Sequence, residues 1–300
     1  MLRGLFPAGF SAEHLGPNDY YYWDDFWGVA GLRAAAWMLG ELGEMRLSDL
    51  FYNEARDFMK CIDESITAVA ELTASEIMPA SPNRRADSGA VGSLAVGYPL
   101  SLWESNNSRL LATASYLFNN CIINNAFYHD ISHSGINPYL TIHIAEVFLR
   151  AGDKRFWSLV NGIANLATQT GQWPEAIHPQ LKTGCMGDGQ HVWAAAEWIV
   201  ILRNSFVREE FDTRTLVLCS GIHNDMLKSG SKISCGPVST PFGRIELEIN
   251  SRNNIVRVNW KGTWHNGLEP VIKIAFPEKE VVDVVPGITE HTFSINENTV

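Results

Sequence analysis

Eleven residues decide how this chain begins to fold: Pro17-Asn18-Asp19-Tyr20-Tyr21-Tyr22-Trp23-Asp24-Asp25-Phe26-Trp27. Six of them are aromatic and three are Asp. A sugar ring suits such a surface, because its C–H face packs on aromatic rings while its hydroxyls donate hydrogen bonds to carboxylates. The alternative is a buried aromatic stripe, with Asp19 or Asp24 as a helix N-cap. Apolar residues then recur at three- and four-residue spacing, which predicts an amphipathic helix: Trp23, Phe26, Trp27, Ala30, Ala34, Trp37 and Met38.

Composition places the chain among globular proteins and excludes several partner classes. Its 300 residues are 46% hydrophobic and 19% charged, enough to form one large core or two ordinary ones. Because the formal net charge is -10, we expect no nucleic acid and no anionic membrane as partner, since both require a basic patch. No uncharged apolar run reaches the length of about 18 residues that a membrane-spanning helix needs.

Cysteine usage and the N-terminal residues predict a cytoplasmic protein. The five Cys residues are widely spaced, odd in number and free of a Cys-x-x-Cys pair, as expected of reduced thiols. The first residues lack the basic and apolar regions of a signal peptide. No GxSxG, Walker A or dinucleotide-binding glycine motif occurs, and we expect no cofactor.

The first 210 residues carry six predicted helices, joined alternately by short and long loops. Their predicted ranges are 23–42, 47–75, 108–123, 137–150, 154–170 and 190–207. The sixth is apolar on nearly all faces, so we expect it to be buried on all sides. Glu197, within that helix, would then need a buried partner and is expected to orient a site residue.

Three long loops alternate with the helix pairs, at 76–105, 124–136 and 171–189. The first is rich in Pro and Gly, with little predicted regular structure, and long irregular segments inside a compact domain are usually functional. Together with residues 1–22, these loops hold many of the Asp, Glu, His and Trp side chains. We expect them to converge at one end of the helices and to form the functional site there.

Beyond about residue 211, period-two alternation replaces the helical pattern. Strands are predicted at 215–219, 244–249, 255–260, 271–276 and 280–285, with turns at Asn253-Asn254, Lys261-Gly262 and Pro286-Gly287. The sequence therefore predicts an α+β protein, with a helical domain at 1–210 and an antiparallel, β-sandwich-like domain at 211–300.

Several motifs resemble those of (α/α)6-barrel glycoside hydrolases of the trehalase, glucosidase-I-like and bacterial glucoamylase-like families. Tyr22-Trp23-Asp24-Asp25-Phe26 is similar to their Trp-Asp motifs. Trp173-Pro174-Glu175 resembles their second acidic loop, and the run from Gly187 to Trp198 resembles their last inner helix. Thr240-Pro241-Phe242-Gly243 is similar to the β domain found after such barrels.

An (α/α)6 toroid has twelve helices, whereas six are predicted in this chain. The resemblance therefore implies the C-terminal half of the toroid, a six-helix array of helical hairpins followed by the β domain. The chain would be a fragment or the product of a split gene, or a half barrel that pairs with another chain. Because a half array exposes apolar helix faces, we expect a homo-oligomer or an association with an upstream half-barrel chain.

The resemblance also implies an enzyme, a glycosidase that cleaves its substrate with inversion by means of two carboxyl groups. One is protonated and gives its proton to the leaving oxygen, while the other activates water. By resemblance, Asp24 is the general acid and Asp25 binds a sugar hydroxyl, although their roles could be exchanged. Glu175 is the expected general base, with a solvent-exposed loop residue as the alternative. Glu104 is the second choice of acid.

Further loop residues are expected to bind an oligo- or polysaccharide substrate. Arg84, Arg85 and Asp87 could bind hydroxyls, although a structural Arg–Asp pair is equally consistent. Asp188 is either a helix N-cap or a hydroxyl acceptor. Residues 129–133 carry two His without a clear further ligand, so we expect no metal. The predicted binding set is Tyr22, Trp23, Trp27, Arg85, Asp87, Trp103, Glu104, His133, Trp173, His178, Asp188 and His191.

Two alternative functions stay open at this point. One is a catalytically inactive carbohydrate-binding relative, or a half-barrel subunit that needs a partner. The other is a different (α/α)6 carbohydrate enzyme, such as a phosphorylase, an epimerase or a lyase.

Overall fold

The computed structural model describes residues 1–13, 15–132, 134–277 and 279–294, and its architecture is α+β. The chain divides into two compact units. Unit 1 comprises Met1–Ala151 and Arg155–Glu197, and unit 2 comprises Gly152–Lys154 with the chain from Trp198 onward. The division falls after Glu197, within the sixth helix, whereas the sequence pattern changes near residue 211. In the part of the chain that is described, no helix is both long and apolar enough to cross a lipid bilayer.

Six α-helices form where the sequence predicts them, with shifted ends. They are α1 (Tyr22–Glu41), α2 (Met45–Thr73), α3 (Ser108–Asn120), α4 (Pro138–Arg150), α5 (Arg155–Asn165) and α6 (Val192–Phe206). Side-chain caps set two of the starts. The Asn107 side chain accepts hydrogen bonds from Arg109 N and Leu110 N, and the Asn137 side chain accepts one from Leu140 N.

The predicted apolar stripe of α1 is only partly buried. Trp23 and Phe26 are buried, but Trp27, Trp37 and Met38 are 42%, 66% and 52% exposed. One face of α1 packs against α2 and against the first long loop, so residues on the other face remain in solvent. The spacing that predicted the helix was correct, whereas the face that it predicted to be buried was partly wrong.

The prediction that α6 is buried on all sides was wrong. Ala194 and Ile201 are fully buried, but Val192 is 80% exposed and Ile199 is 67% exposed. Described residues cover only one face of this helix. Apolar side chains on its other face therefore remain exposed. Glu197 lies on the covered face, 8% exposed.

The first long loop contains a buried 3-10 helix, Ser88–Val96, where little regular structure was predicted. All nine of its residues are buried, and it packs against α1, α3 and α4. Its small residues allow this position. A Cβ at Gly92 would lie 2.6 Å from Leu15 Cδ1. This part of the loop is therefore core, where a functional segment was expected, because Gly, Ala and Ser let it pass between helices.

The second and third long loops meet in a small sheet in unit 1. Its strands are β1 (Ile122–Ile123), β2 (Ala126–His129), β3 (Gly135–Ile136), β4 (Ala176–Ile177) and β5 (Gly184–Met186), hydrogen-bonded in that order. The pairing of Ile136 with Ile177 joins the two loops. The sheet thus places the Trp173-Pro174-Glu175 segment beside the start of α4.

Unit 2 contains two four-stranded sheets around one core. The strands are β6 (Val207–Glu210), β7 (Thr215–Leu218), β8 (Lys232–Thr240), β9 (Gly243–Arg252), β10 (Ile255–Trp264), β11 (Val271–Ile274), β12 (Val282–Asp283) and β13 (Glu290–Ser294). Their orders are β13-β10-β9-β8 and β12-β11-β7-β6. The predicted Asn253-Asn254 turn is confirmed, with both residues at positive φ between β9 and β10. The strands of unit 2 pair antiparallel, as predicted, except for β7 and β11, which pair in parallel.

Candidate functional site

A buried carboxyl group, Glu13, lies in electrostatic contact with Glu175 in unit 1. Glu13 is 5% exposed, and the Tyr139 hydroxyl donates a short hydrogen bond to its Oε1. The pKa of Glu13 is raised to about 8, and burial is the main cause. The negative charge of Glu175 acts in the same direction, while the Tyr139 hydrogen bond opposes the shift. Burial, followed by the charge of Glu13, likewise raises the pKa of Tyr139 well above its ordinary range.

The segment before α1 holds Glu13 in place. Gly9 and Asp19 exchange two backbone hydrogen bonds of 3.0 Å, which closes residues 10–18 into a loop. Arg84 Nη1 donates to the Leu15 carbonyl oxygen at 2.5 Å, and Leu15 itself is fully buried. Inside the loop, Glu13 N lies 3.4 Å from Ser11 Oγ. The loop is therefore anchored on both sides of Glu13, and its carboxyl group is directed to the first turn of α4.

Glu175 is half-buried and lies at the start of β4. Its backbone N donates to the Asp188 carbonyl oxygen at 2.8 Å, and Asp188 N lies 3.3 Å from Glu175 Oε2. Gly187 makes this arrangement possible for two reasons. Its φ is +69°, and a Cβ at that position would lie 2.0 Å from Glu175 Oε2. The turn at Gly187-Asp188 thus presents a backbone N–H to the Glu175 side chain.

Aromatic rings line the same region. The indole of Trp193 stacks on the Tyr139 ring, with centroids 4.3 Å apart and an interplanar angle of 23°. The His191 ring lies 5.0 Å from Tyr139. Burial lowers the pKa of His191, although the charges of Glu175 and Asp188 act in the opposite direction. His191 thus lies near the side chains of Glu175 and Asp188, and burial favours its neutral form.

Glu197 fixes the position of Trp193 through a hydrogen bond and has two further buried contacts. Trp193 Nε1 donates to Glu197 Oε1 at 3.1 Å, Tyr98 Oη donates to Oε2 at 2.6 Å, and His143 Nε2 lies 3.4 Å from Oε1. Burial opposes ionisation of Glu197, but its contacts with His143, Tyr98 and Trp193 outweigh burial and lower its pKa. The sequence-based expectation that Glu197 requires buried partners is confirmed.

The two Asp residues of the opening stretch point to different partners. Asp24 is half-buried and accepts a 3.3 Å hydrogen bond from Ser11 Oγ, two residues before Glu13. Burial raises its pKa, against the hydrogen bond from Ser11. Asp25 is 1% exposed and accepts a 2.9 Å hydrogen bond from Phe6 N. Burial raises the pKa of Asp25 to about 7, and its Oδ2 has no hydrogen-bond partner among the described residues.

The remaining aromatic residues of that stretch differ in exposure. Tyr22 is fully buried, and its hydroxyl lies 3.0 Å from Ser65 Oγ of α2. Trp23 is also buried and stacks on His143 at 6.2 Å. Trp27 packs against Trp23 at 5.7 Å with much of its ring in solvent. Of the three, Trp27 presents the most surface to a ligand.

The predicted site residues of the first long loop do not belong to the group of contacts around Glu13. Asp87 accepts a 2.6 Å hydrogen bond from Arg84 Nη2 and caps the 3-10 helix through Gly89 N at 2.9 Å. This is the structural Arg–Asp pair that the sequence left open, and it is formed by Arg84. Arg85 is exposed. Trp103 is half-buried against Phe26, with ring centroids 6.4 Å apart, and Glu104 is exposed.

In the third loop, Trp173 is buried and donates from Nε1 to the Ile163 carbonyl oxygen at 2.9 Å. His178 Nδ1 accepts from Gln180 N and Leu181 N, both at 3.2 Å, so its ring closes a turn. Asp188 is exposed beside Glu175. His133 lies outside the described residues.

Within the described ranges, no group of three or more His, Cys, Asp and Glu side chains is arranged to hold a metal ion. His129 Nδ1 lies 2.7 Å from the Ser132 carbonyl oxygen, and the Ser88 hydroxyl donates a short hydrogen bond to Asp130. These contacts stabilise the loop around β2.

Neither Glu13 nor Tyr139 is predicted from the sequence. Glu13 is a single carboxylate in a Gly- and Pro-containing segment, and Tyr139 belongs to a helix whose residues are mostly buried, so neither has a motif of its own. The available signal was the position of Glu13 in the segment that leads into the Trp-Asp stretch.

Comparison with known proteins gives limited similarity. No protein-family model matches the sequence, and a comparison with curated proteins finds no match. Among the solved structures that the chain is similar to is a bacterial glucoamylase complexed with acarbose, at 13% sequence identity and a TM-score of 0.45. The similarity covers 62% of this chain and 33% of that chain, so the chain spans about a third of the length of that glucoamylase.

Proposed function

We propose that unit 1 hydrolyses a glycosidic bond by acid–base catalysis, with Glu13 as the general acid and Glu175 as the general base. The observation that carries this proposal is the contrast between the two carboxyl groups. Glu13 is buried with a pKa raised to about 8, whereas Glu175 is half-buried beside a backbone N–H. A buried carboxyl group with a raised pKa beside a second, more exposed one fits the roles of acid and base.

Glu13 has the properties of an acid at neutral pH. Its raised pKa keeps a proton on the carboxyl group, while Tyr139 donates to Oε1 and leaves Oε2 to carry that proton. Because the pKa of Tyr139 is raised too, the phenol remains a donor. In the reaction, Glu13 transfers its proton to the leaving glycosidic oxygen as the bond from the anomeric carbon to that oxygen breaks.

Glu175 supplies the opposite function. As a carboxylate it takes a proton from a water molecule whose oxygen forms the new bond to the anomeric carbon. One proton leaves Glu13 and one arrives at Glu175, so the total is balanced. Inversion requires the carboxyl groups to be about 6.5–9.5 Å apart, with room for that water. The anomeric configuration of the first product, observed by NMR, therefore shows whether the two carboxyl groups are spaced for inversion.

The rings around the pair fit a sugar. Trp193 and His191 offer faces for C–H packing, and the exposed Asp188 offers oxygens to hydroxyls. Trp27 would contact a more distant sugar unit. Asp24 is the second candidate for the acid, because it is half-buried and bonds to the segment that carries Glu13.

The test is hydrolysis of a panel of oligosaccharides by the full chain and by three variants. Glu13→Gln and Glu175→Gln should each abolish turnover with the circular dichroism spectrum unchanged. Glu71→Gln, at an exposed position of α2, is the control and should leave the rate unchanged. Full activity in Glu13→Gln together with loss in Asp24→Asn would transfer the acid role to Asp24. Sugar binding by calorimetry without any turnover would instead favour a binding protein.

A further inference from the structure

A concave apolar groove lies between α1 and α2, and its lining includes none of the residues around Glu13 and Glu175. It encloses about 690 Å³. The first helix contributes small and aliphatic residues, the second contributes aromatic and acidic residues and one Cys, and the N-terminal segment contributes Gly4 and Phe6. The lining comprises Gly4, Phe6, Gly28, Gly31, Leu32, Ala35, Phe51, Glu54, Asp57, Phe58 and Cys61.

The groove is open because α1 carries glycine at two positions. The Phe6 ring packs edge-on against Phe58, with centroids 4.9 Å apart, and a Cβ at Gly28 would lie 2.6 Å from the Phe6 ring. At Gly31, a Cβ would meet nothing within 4 Å. The floor is therefore accessible at Gly31, and Phe6 remains 45% exposed beside it.

The apolar surface continues beyond the groove along both helices. Gly31, Ala34 and Met38 share one face of α1 by helical spacing, and Met38 is 52% exposed. On α2, Leu47 and Leu50 share the face that carries Phe51 and Phe58, and they are 43% and 58% exposed. Exposed apolar residues that adjoin a concave apolar groove are characteristic of an interaction surface.

The charged residues that line the groove are acidic. Glu54 and Asp57 line it, and both are exposed, whereas none of the described lining residues is Lys or Arg. Asp57 lies 3.4 Å from Arg56 Nε in an exposed pair, and such pairs are weak. A partner that covers this surface must therefore bring apolar side chains flanked by positive charges.

We propose that this groove docks an amphipathic helix, whose apolar side chains enter between α1 and α2 and whose flanking Lys or Arg side chains pair with Glu54 and Asp57. A groove between two helices accepts a third helix by the same packing that joins the two. A two-fold contact with a second copy of this chain would instead place the same acidic lining on both sides of the interface. The proposal is independent of the proposed hydrolase function.

The test uses the full chain and two labelled synthetic peptides of about 20 residues, long enough to form a helix. Both peptides have the same Leu and Ala face, flanked by Lys in one and by Glu in the other. Fluorescence anisotropy should show binding of the Lys peptide at least about tenfold tighter than that of the Glu peptide. The double reversal Glu54→Lys with Asp57→Lys, at exposed positions, should invert this preference.

A second pair of variants tests the groove itself. Gly31→Trp fills the open floor and should weaken binding of the Lys peptide by about tenfold. Asn53→Trp makes a comparable change at an exposed position of α2 outside the lining, and it should have no effect. Equal binding of the two peptides, or equal effects of the two Trp variants, would overturn the proposal. Light scattering that shows a dimer, converted to a monomer by Gly31→Trp, would assign the surface to a second copy and also overturn it.

Discussion

Tyr139, in the first turn of α4, donates its hydroxyl hydrogen bond to Glu13, which lies 126 residues earlier in the chain. This bond connects the segment before α1 to the helix that begins after β3. The carboxyl group is buried at the contact, and the charge of Glu175 acts on both partners. The candidate site thus depends on contacts between distant parts of the chain.

The first prediction concerns this hydrogen bond. Tyr139→Phe should lower the free energy of unfolding by about 1 kcal/mol, because a buried acceptor loses its donor. It should also raise the pKa of Glu13, since the bond from Tyr139 holds that pKa down. Urea unfolding followed by fluorescence measures the first effect. Tyr52→Phe, at an exposed position, is the control and should change neither value.

The second prediction concerns the dependence of stability on pH. The native state keeps a proton on Glu13 up to a pH of about 8, whereas the unfolded chain loses it near 4.5. The native state therefore binds more protons in this window, and its stability falls as the pH rises, by up to about 1.4 kcal/mol per unit. Asp25 adds the same sign between 3.8 and about 7.

Two variants separate these contributions. Glu13→Gln should flatten the decline in unfolding free energy between pH 7 and 8, while Asp25→Asn should flatten it only below 7. Urea midpoints measured at intervals across this range provide the comparison. A curve of Glu13→Gln that keeps the full slope above pH 7 would contradict the raised pKa of Glu13.

The third prediction concerns Gly187. Gly187→Ala should abolish the proposed activity, because its Cβ would occupy the position of Glu175 Oε2 and displace the carboxylate. The positive φ adds a cost of about 1–2 kcal/mol to folding. Gly189→Ala is the matched control, since a Cβ there meets nothing within 4 Å. If both variants hydrolyse oligosaccharides equally, the placement of Glu175 is not what limits the reaction.

The fourth prediction concerns Glu197. Glu197→Ala should destabilise unit 1 by about 3 kcal/mol, because it leaves the buried Tyr98 hydroxyl and the Trp193 indole N–H without their acceptor. Tyr98→Phe removes one of these contacts and should cost about 1 kcal/mol. A double-mutant cycle of the two changes should show coupling, whereas strict additivity would mean that the contact contributes nothing.

Local patterns predicted the local structure well. Helical spacing located all six helices, and the Asn253-Asn254 turn formed between β9 and β10. The predicted turn at Lys261-Gly262 was wrong, because both residues lie within β10. The other errors were those of context. The face of α6 that carries Val192 and Ile199 is apolar but uncovered, and the Gly-rich segment around Gly92 is core. In both places the side chains indicate hydrophobicity, whereas burial depends on what packs against them.

The site residues also divide into those that the sequence indicates and those that only the structure shows. Trp173-Pro174-Glu175 and Gly187-Asp188 were recognised from the sequence, and the structure brings them together through β4 and β5. Glu13 and Tyr139 were not recognised, because a carboxyl group acquires a raised pKa from burial, and burial of Glu13 requires α4.

By itself the sequence determined the order of helices and strands, since periodicity and turn residues act over a few positions. It also placed an aromatic and acidic stretch at the start of α1. Only the tertiary structure decided which carboxyl group is buried, because desolvation depends on distant parts of the chain. Asp25 accepts a hydrogen bond from Phe6 N, Asp24 from Ser11 Oγ, and Glu13 from the Tyr139 hydroxyl. Three carboxyl groups within thirteen residues thereby acquire three different environments.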